Sequence, residues 1–275
     1  MCRWLAYSGT AIRLDELLVK RDRSLIDQSL HARQGATTTN GDGFGVGWYG
    51  DSEIPSLFRS THPAWNDRNL RELTAAIRSP LFFAHIRAST GSAIQETNTH
   101  PFRYGRWLWM HNGAIREFLR VKRQLVLAVD DSLYASIEGA TDSETMFYLA
   151  LTFGLESDPV AAVERMVGFI EQTGHQNGVE FPVQMTVATT DGRSVWAFRY
   201  SSERVSRSLY YSTRMDVLQA HYPDSEELAG LSDVTRAIVS EPLGDLVGAW
   251  NEVPESHVGI VHPGADELRP LTVRQ

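Results

Sequence analysis

One cysteine in 275 residues, at position 2, opens the run Cys-Arg-Trp-Leu-Ala-Tyr-Ser that ends at Gly9. A short apolar and aromatic segment bounded by glycine predicts a buried β-strand beginning almost at the terminus. A terminal segment that is itself a core strand is tied down rather than frayed. The lone thiol is therefore held at a fixed place beside the core.

A free cysteine most often packs as a small hydrophobe, and its identity alone says little about chemistry. Position adds a second possibility. Initiator methionine is normally trimmed when the next residue is small, which would leave Cys2 with both a thiol and an α-amine. An α-amine titrates at about 7.7 to 8.0, so near neutral pH it can accept the thiol proton directly or through water. One residue then supplies nucleophile and base, as in other N-terminal nucleophiles.

Periodicity places the rest of the chain coarsely. Residues 14 to 20 and 24 to 30 have helical or turn character, and 34 to 40 are polar and loop-like. In the stretch from Asn40 to Gly50, glycine alternates with Phe44, Val46 and Trp48, so a loop runs into a core strand with those three on one face. Leu70, Leu73, Ala76 and Ile77 fall at helical spacing before Pro80, and residues 81 to 87 read as a strand. A strand over 107 to 111 ends at Asn112-Gly113, with a helix over 115 to 129. Thr141 and Glu144 have capping-box spacing ahead of an apolar helix. A further helix covers 160 to 173, followed by strands at 183 to 189, 195 to 200, 209 to 212 and 258 to 262. Strands and helices interspersed, many strands joined by short turns, predict a layered α+β fold with antiparallel pairing. No repeat or Pro/Ser-rich linker divides the chain, so we expect a single domain over residues 1 to 275.

Four segments downstream of Cys2 supply what acyl transfer on a γ-glutamyl group needs. In His85-Ile-Arg-Ala-Ser-Thr-Gly91, Arg87 at a strand end can fork two hydrogen bonds onto an α-carboxylate; it can equally form a surface ion pair. In His111-Asn-Gly113, the Asn112 amide and the Gly113 backbone N–H can converge on a developing oxyanion, although Asn-Gly is also an ordinary turn. Asp142 at a helix start can receive an α-ammonium or serve only as a capping carboxylate. His100, in Asn98-Thr-His-Pro-Phe102, is a base or a hydrogen-bonded structural histidine.

Composition excludes other classes. A formal charge of -8 with no basic run disfavours nucleic acid and anionic membranes as partners. A single cysteine can make no internal disulfide and fits a reducing, cytoplasmic compartment. No apolar run approaches the roughly 20 residues that span a bilayer, and no secretory signal is visible. Gly45-Val-Gly-Trp-Tyr-Gly50 matches a dinucleotide-binding pattern, but a polar loop precedes it and Asp51-Ser-Glu-Ile-Pro55 follows, where a strand and a helix are required. Trp107 and Trp109 read as alternating strand packing. The histidines form no metal-binding motif, and thiol acyl transfer requires neither metal nor cofactor.

Together these segments resemble the class II glutamine amidotransferases, which belong to the N-terminal nucleophile hydrolases. The matching motifs are Met-Cys-Arg at the start, residues 40 to 49, His-Ile-Arg-Ala-Ser-Thr (85 to 90), Glu-Thr-Asn-Thr-His-Pro-Phe (96 to 102), His-Asn-Gly-Ala-Ile (111 to 115) and Thr-Asp-Ser-Glu (141 to 144), in the family's order. The 13-residue separation of Arg87 and His100 is similar to the family's as well. The resemblance is strongest over residues 2 to 150. It implies a four-layer αββα sandwich of two mostly antiparallel sheets. It also implies Cys2 as nucleophile, Asn112 and Gly113 as oxyanion hole, Arg87 and Asp142 as clamps for the substrate's carboxylate and amine, and Thr90 and Gly91 as pocket wall. Asp42 would lie in the loop beside the nucleophile. Some members carry an aromatic residue after the clamp arginine, where this chain has Ala88.

Within the family, residues 24 to 30, 63 to 66 and 80 to 102 are most similar to stand-alone amidotransferase-like proteins that include the yeast subunit for glutathione breakdown. The ergothioneine-pathway γ-glutamyl hydrolase of actinobacteria is a second relative in style. The expected substrate is a small molecule, glutamine or a γ-glutamyl amide. We expect no attached synthase domain, so that the chain would either hydrolyse its substrate or work with a separate partner subunit. The rival expectation is a non-catalytic γ-glutamyl-binding or regulatory subunit with the same pocket.

Overall fold

The computed structural model describes residues 2–30, 39–89, 91–226, 228–262 and 266–273. The chain enters at β1 (Arg3–Arg13), then forms two short helices, α1 (Asp15–Leu18) and α2 (Leu25–Leu30). Strands β2 (Phe44–Trp48) and β3 (Ser56–Ser60), helix α3 (Arg68–Ala76) and strand β4 (Arg78–Ile86) follow. Next come β5 (Phe102–Tyr104), β6 (Trp107–Ile115) and the helices α4 (Phe118–Leu127), α5 (Asp131–Tyr134), α6 (Asp142–Thr152) and α7 (Pro159–Gln176). The remainder is β7 (Val183–Thr190), β8 (Val195–Ser201), β9 (Tyr210–Ser212), α8 (Met215–His221), β10 (Arg236–Val239), β11 (Trp250–Glu252), β12 (His257–Val261) and β13 (Glu267–Pro270).

These strands make a seven-stranded sheet, ordered β11-β9-β10-β1-β4-β2-β3, and a six-stranded sheet, ordered β13-β12-β8-β7-β6-β5. Every recorded pairing is antiparallel. Alternation along the strands sorts side chains between layers. On β1, Leu5 and Tyr7 pack outward with Leu14, Leu17 and Leu25 of the α1/α2 region. Trp4 and Ala6 face the other way, into a core shared with Leu108 and Met110 of β6 and Ala188 of β7. On the far side, Trp109, Met185 and Val187 pack under α6 and α7 with Phe147, Met166 and Ile170. The result is the expected αββα sandwich, with the two tryptophans of β6 in the layer beneath the helices. No helix among the described residues is long and apolar enough to cross a membrane.

Several local expectations change. β1 continues past Gly9 to Arg13, the register shifting between Ser8 and Ile12. Pro80 lies within β4 rather than before it. β6 runs through Asn112-Gly113 to Ile115, because both residues pair with β7, opposite Thr186 and Met185; the dipeptide is not a turn. The next helix consequently starts at Phe118. The Thr141 hydroxyl accepts from the Glu144 N–H at 3.1 Å, a cap worth about 1 kcal/mol. Glu144 does not close the box, and accepts instead from the backbone amides of Glu138 and Gly139. Most of the predicted loop over 34 to 40 lies outside the described residues.

Candidate active site

Cys2 immediately precedes β1, between β4 on one side and β10 on the other. Its parity matches Trp4 and Ala6, so its side chain belongs to the space between the sheets. Arg3 pairs with Ile86 and Trp4 with His85, which brings Cys2 abreast of Arg87 one step further along the register. Asn112 has the parity of Leu108 and Met110 and comes to the same space from the other sheet. The sheets are pinned there by the Trp4 indole, which donates to the Thr186 hydroxyl at 3.3 Å, while Thr186 donates to the Asn112 carbonyl at 3.3 Å.

The Cys2 sulfur rests against the main chain of Ala88, 3.4 Å from its nitrogen and 3.5 Å from its oxygen. Across the gap, the Asn112 side-chain amide donates to the Cys2 carbonyl at 3.0 Å. Gly113 has no room for a side chain: an added Cβ would stand 1.9 Å from the Gln184 carbonyl oxygen and 2.6 Å from the His111 ring. Backbone and imidazole therefore fill the wall behind it. His111 is buried, with Nδ1 2.8 Å from the Ser143 hydroxyl and Nε2 3.4 Å from the Gln184 carbonyl. We assign the proton to Nε2, since the carbonyl can only accept. Burial lowers the pKa of His111 against the opposing pull of Asp142, so the ring is held neutral.

Arg87 is buried and wrapped by its own loop. Its Nη2 donates to Ser92 Oγ at 2.7 Å, the Ala93 carbonyl at 3.0 Å and Ser89 Oγ at 3.3 Å, while Nη1 has a 3.4 Å contact to the Asp42 carbonyl. Among the described residues it makes no ion pair, so the surface-pair alternative fails. Burial lowers its pKa, with Cys2 and Asp42 acting in the opposite sense. Asp42 is fastened alongside: its backbone N–H donates to the Arg87 carbonyl and its carboxylate accepts from the Ser89 N–H at 2.7 Å. Gly91 sits in this loop with a positive φ of 110° and open space where a Cβ would be. Thr90 lies outside the described residues.

Asp142 opens α6. Its Oδ2 accepts from the Ile115 N–H at 2.8 Å and its Oδ1 from the Ser143 N–H at 2.8 Å, tying the helix start to the end of β6 two residues beyond Gly113. The arrangement brings Cys2, Arg87, Asp42, Asn112, Gly113 and Asp142 to the same end of the sandwich. His100 is set apart. Its ring packs at a tilt against His85, 4.2 Å between centroids, and against Phe102 at 4.6 Å, buried with no bond from either ring nitrogen among the described residues, and burial holds its pKa well below the usual value. It packs behind the Arg87 strand.

Three participants carry no sequence signal. Ala88 contributes main-chain atoms, which any residue would provide. Arg3 forms a buried ion pair with Glu241 at 3.0 Å, across 238 residues. Arg207 enters the electrostatic surroundings of Cys2 from a loop with no motif.

The model of the family "Glutamine amidotransferases class-II" matches residues 18–268, a span that holds every candidate site position except Cys2. A Saccharomyces cerevisiae protein named "Probable glutamine amidotransferase DUG3" is 35% identical over 98% of this chain and 84% of its own length. The Mycolicibacterium smegmatis "Gamma-glutamyl-hercynylcysteine sulfoxide hydrolase" is 26% identical over 98% of this chain and 100% of its own. A solved class-II glutamine aminotransferase domain protein from Silicibacter pomeroyi superposes with a TM-score of 0.76 at 30% identity, covering 100% of both chains. A solved glutamine phosphoribosylpyrophosphate amidotransferase from B. subtilis shares the fold with a TM-score of 0.62 at 11% identity, over 100% of this chain and 50% of its own.

Proposed function

The chain belongs to the class II glutamine amidotransferases, a family of enzymes, and we propose that it is a γ-glutamyl amide hydrolase in which Cys2 carries the acyl group. The observation that carries this reading is the placing of the Cys2 sulfur on the Ala88 main chain, with Asn112 bonded to the Cys2 carbonyl from one sheet and Arg87 beside Cys2 in the register of the other. The relative named as a γ-glutamyl hydrolase supports the substrate class. We read residues 1 to 275 as one such unit, acting on a small molecule in a reducing cytoplasm.

In the proposed reaction the α-amine exposed by loss of Met1 takes the thiol proton, and the thiolate attacks the γ-carbonyl. The Asn112 amide uses one N–H on the Cys2 carbonyl; its second N–H and the Gly113 backbone N–H receive the oxyanion. The intermediate expels the amine, which takes up the proton, and leaves a γ-glutamyl thioester. Water then attacks the thioester, releases glutamate and restores the thiol; another amine in place of water gives transfer. The Nη1 side of Arg87 receives the α-carboxylate, and Asp142 receives the α-ammonium. Asp42 and Gly91 complete the wall around them, and His100 stiffens the strand behind Arg87.

A partition experiment tests the thioester. With hydroxylamine present, glutamate and γ-glutamyl hydroxamate form from one intermediate, so their ratio is the same whichever amine the substrate releases. A ratio that changes with the leaving amine contradicts a shared acyl-enzyme.

A further inference from the structure

Arg87 and Arg207 belong to segments on opposite flanks of β1. Arg87 follows β4, and Arg207 belongs to the loop between β8 and β9, which is fastened beside β10; β4 and β10 are the two neighbours of β1. The fastening is specific. The Val205 carbonyl accepts from the Gln184 side chain at 3.0 Å, the Ser206 N–H donates to Glu255 at 2.9 Å, and the Ser208 hydroxyl donates to the Ser240 carbonyl at 2.8 Å. Ser240 is itself bonded to Trp4, whose N–H donates to the Ser240 hydroxyl at 3.0 Å. Gln184 contributes the carbonyl that backs Gly113 and meets His111. The loop that carries Arg207 is thus built onto the same backbone that holds the nucleophile and the oxyanion wall.

Arg3, Arg87 and Arg207 all lie within electrostatic reach of Cys2. Arg3 is paired with the Glu241 carboxylate, and Arg87 is held by Ser89, Ser92, Ala93 and Asp42. Arg207 differs. Among the described residues its guanidinium donates no hydrogen bond and makes no ion pair, and its Nε is buried without a partner. A partly buried cation with an unmet donor is costly unless a ligand completes it.

We infer that Arg207 is a specificity-determining residue that binds an anionic group, a carboxylate or its equivalent, on the part of the substrate released as amine. This rests on the γ-glutamyl hydrolase reading above. With the γ-carbonyl at the Cys2 sulfur and the glutamyl α-carboxylate toward Arg87, the leaving amine extends toward the β10 side, where Arg207 stands. Ammonia offers that side nothing to bind. The substrate class that satisfies Arg207 is a γ-glutamyl peptide whose departing residue or dipeptide keeps a free carboxylate.

The test compares γ-glutamylglycine with γ-glutamylglycinamide, which differ in that carboxylate alone, on wild-type enzyme, Arg207→Gln and Arg207→Lys. Wild type is expected to prefer the acid in kcat/KM by about 10- to 100-fold, most of it in KM, as fits a charged hydrogen bond. Arg207→Gln removes the preference by slowing cleavage of the acid far more than cleavage of the amide, and Arg207→Lys keeps part of it because the charge remains without the fork. Thermal melting of both variants separates a folding defect from a binding one. A wild type that treats the two substrates alike, or an Arg207→Gln that slows both equally, overturns the assignment; the second result would place Arg207 on the thiolate instead. Cys2→Ala on γ-glutamylglycinamide keeps the two readings apart. If cleavage survives Cys2 removal, the hydrolase mechanism fails; if it depends on Cys2 and ignores Arg207, only the present inference fails.

Discussion

The side-chain amide of Asn112 donates to the main-chain carbonyl of Cys2 at 3.0 Å, joining β6 of one sheet to the residue that leads into β1 of the other. Removing it takes away a positioning bond and, in the proposed reaction, an oxyanion donor. Asn112→Ala should lower kcat by about 100- to 1,000-fold with a small change in KM, because the donor matters most in the transition state. A kcat within a few-fold of wild type contradicts this role.

Gly113→Ala tests the wall behind the proposed oxyanion site. The new methyl would lie 1.9 Å from the Gln184 carbonyl oxygen, a backbone atom paired into β7, so the strands must part. We expect a loss of about 2 kcal/mol or more in urea unfolding, with activity falling further than stability. Gly259→Ala on β12 is the control, since nothing lies within 4 Å of its added Cβ, and it should be near neutral. Equal melting of the two variants contradicts the packing assigned to Gly113.

The buried histidines set an acid limit. Burial pushes His85 down to about 3 and holds His100 and His111 below the ordinary value of 6.5. A depressed histidine is neutral when folded and takes up a proton when unfolded, so the unfolded state binds more protons as pH falls below about 6.5. Stability from these residues is therefore full above that pH and declines below it, by up to about 1.4 kcal/mol per pH unit for each histidine. Urea titrations at pH 7, 6 and 5 measure it. His85→Phe should flatten the slope by about one proton, and an unchanged slope contradicts the assignment.

Much of the site was readable because its groups are local to motifs. Arg87 at a strand end and Asp142 at a helix start are placed by periodicity and capping, and the alternation of Phe44, Val46 and Trp48 survives as packing on one face. Asn112-Gly113 is singled out by its motif, but its turn character does not survive in the structure. Turn propensity favours a break there, but pairing with Thr186 and Met185 some 70 residues later overrides it. Arg207 and the Arg3–Glu241 pair were invisible for a related reason. Their meaning lies in contacts across the sheet order, where β10 comes beside β1, and neither spacing nor residue type records that neighbour. The short edge strands β11 and β13 draw their order from pairing more than from pattern.

The α-amine proposed as base exists only after Met1 is removed. Intact mass and activity should therefore agree: fractions that retain Met1 should release glutamate far more slowly than trimmed protein, and activity should scale with the trimmed fraction. Full activity in protein that retains Met1 rules out the amine as base while leaving the thiol in place.

The central claim is that Cys2 performs the chemistry, and glutamate release from a γ-glutamyl amide by wild type and Cys2→Ala at matched concentration measures it. The account predicts a loss of about 10,000-fold or more in the variant, with its melting temperature unchanged. Equal rates from the two proteins would contradict it.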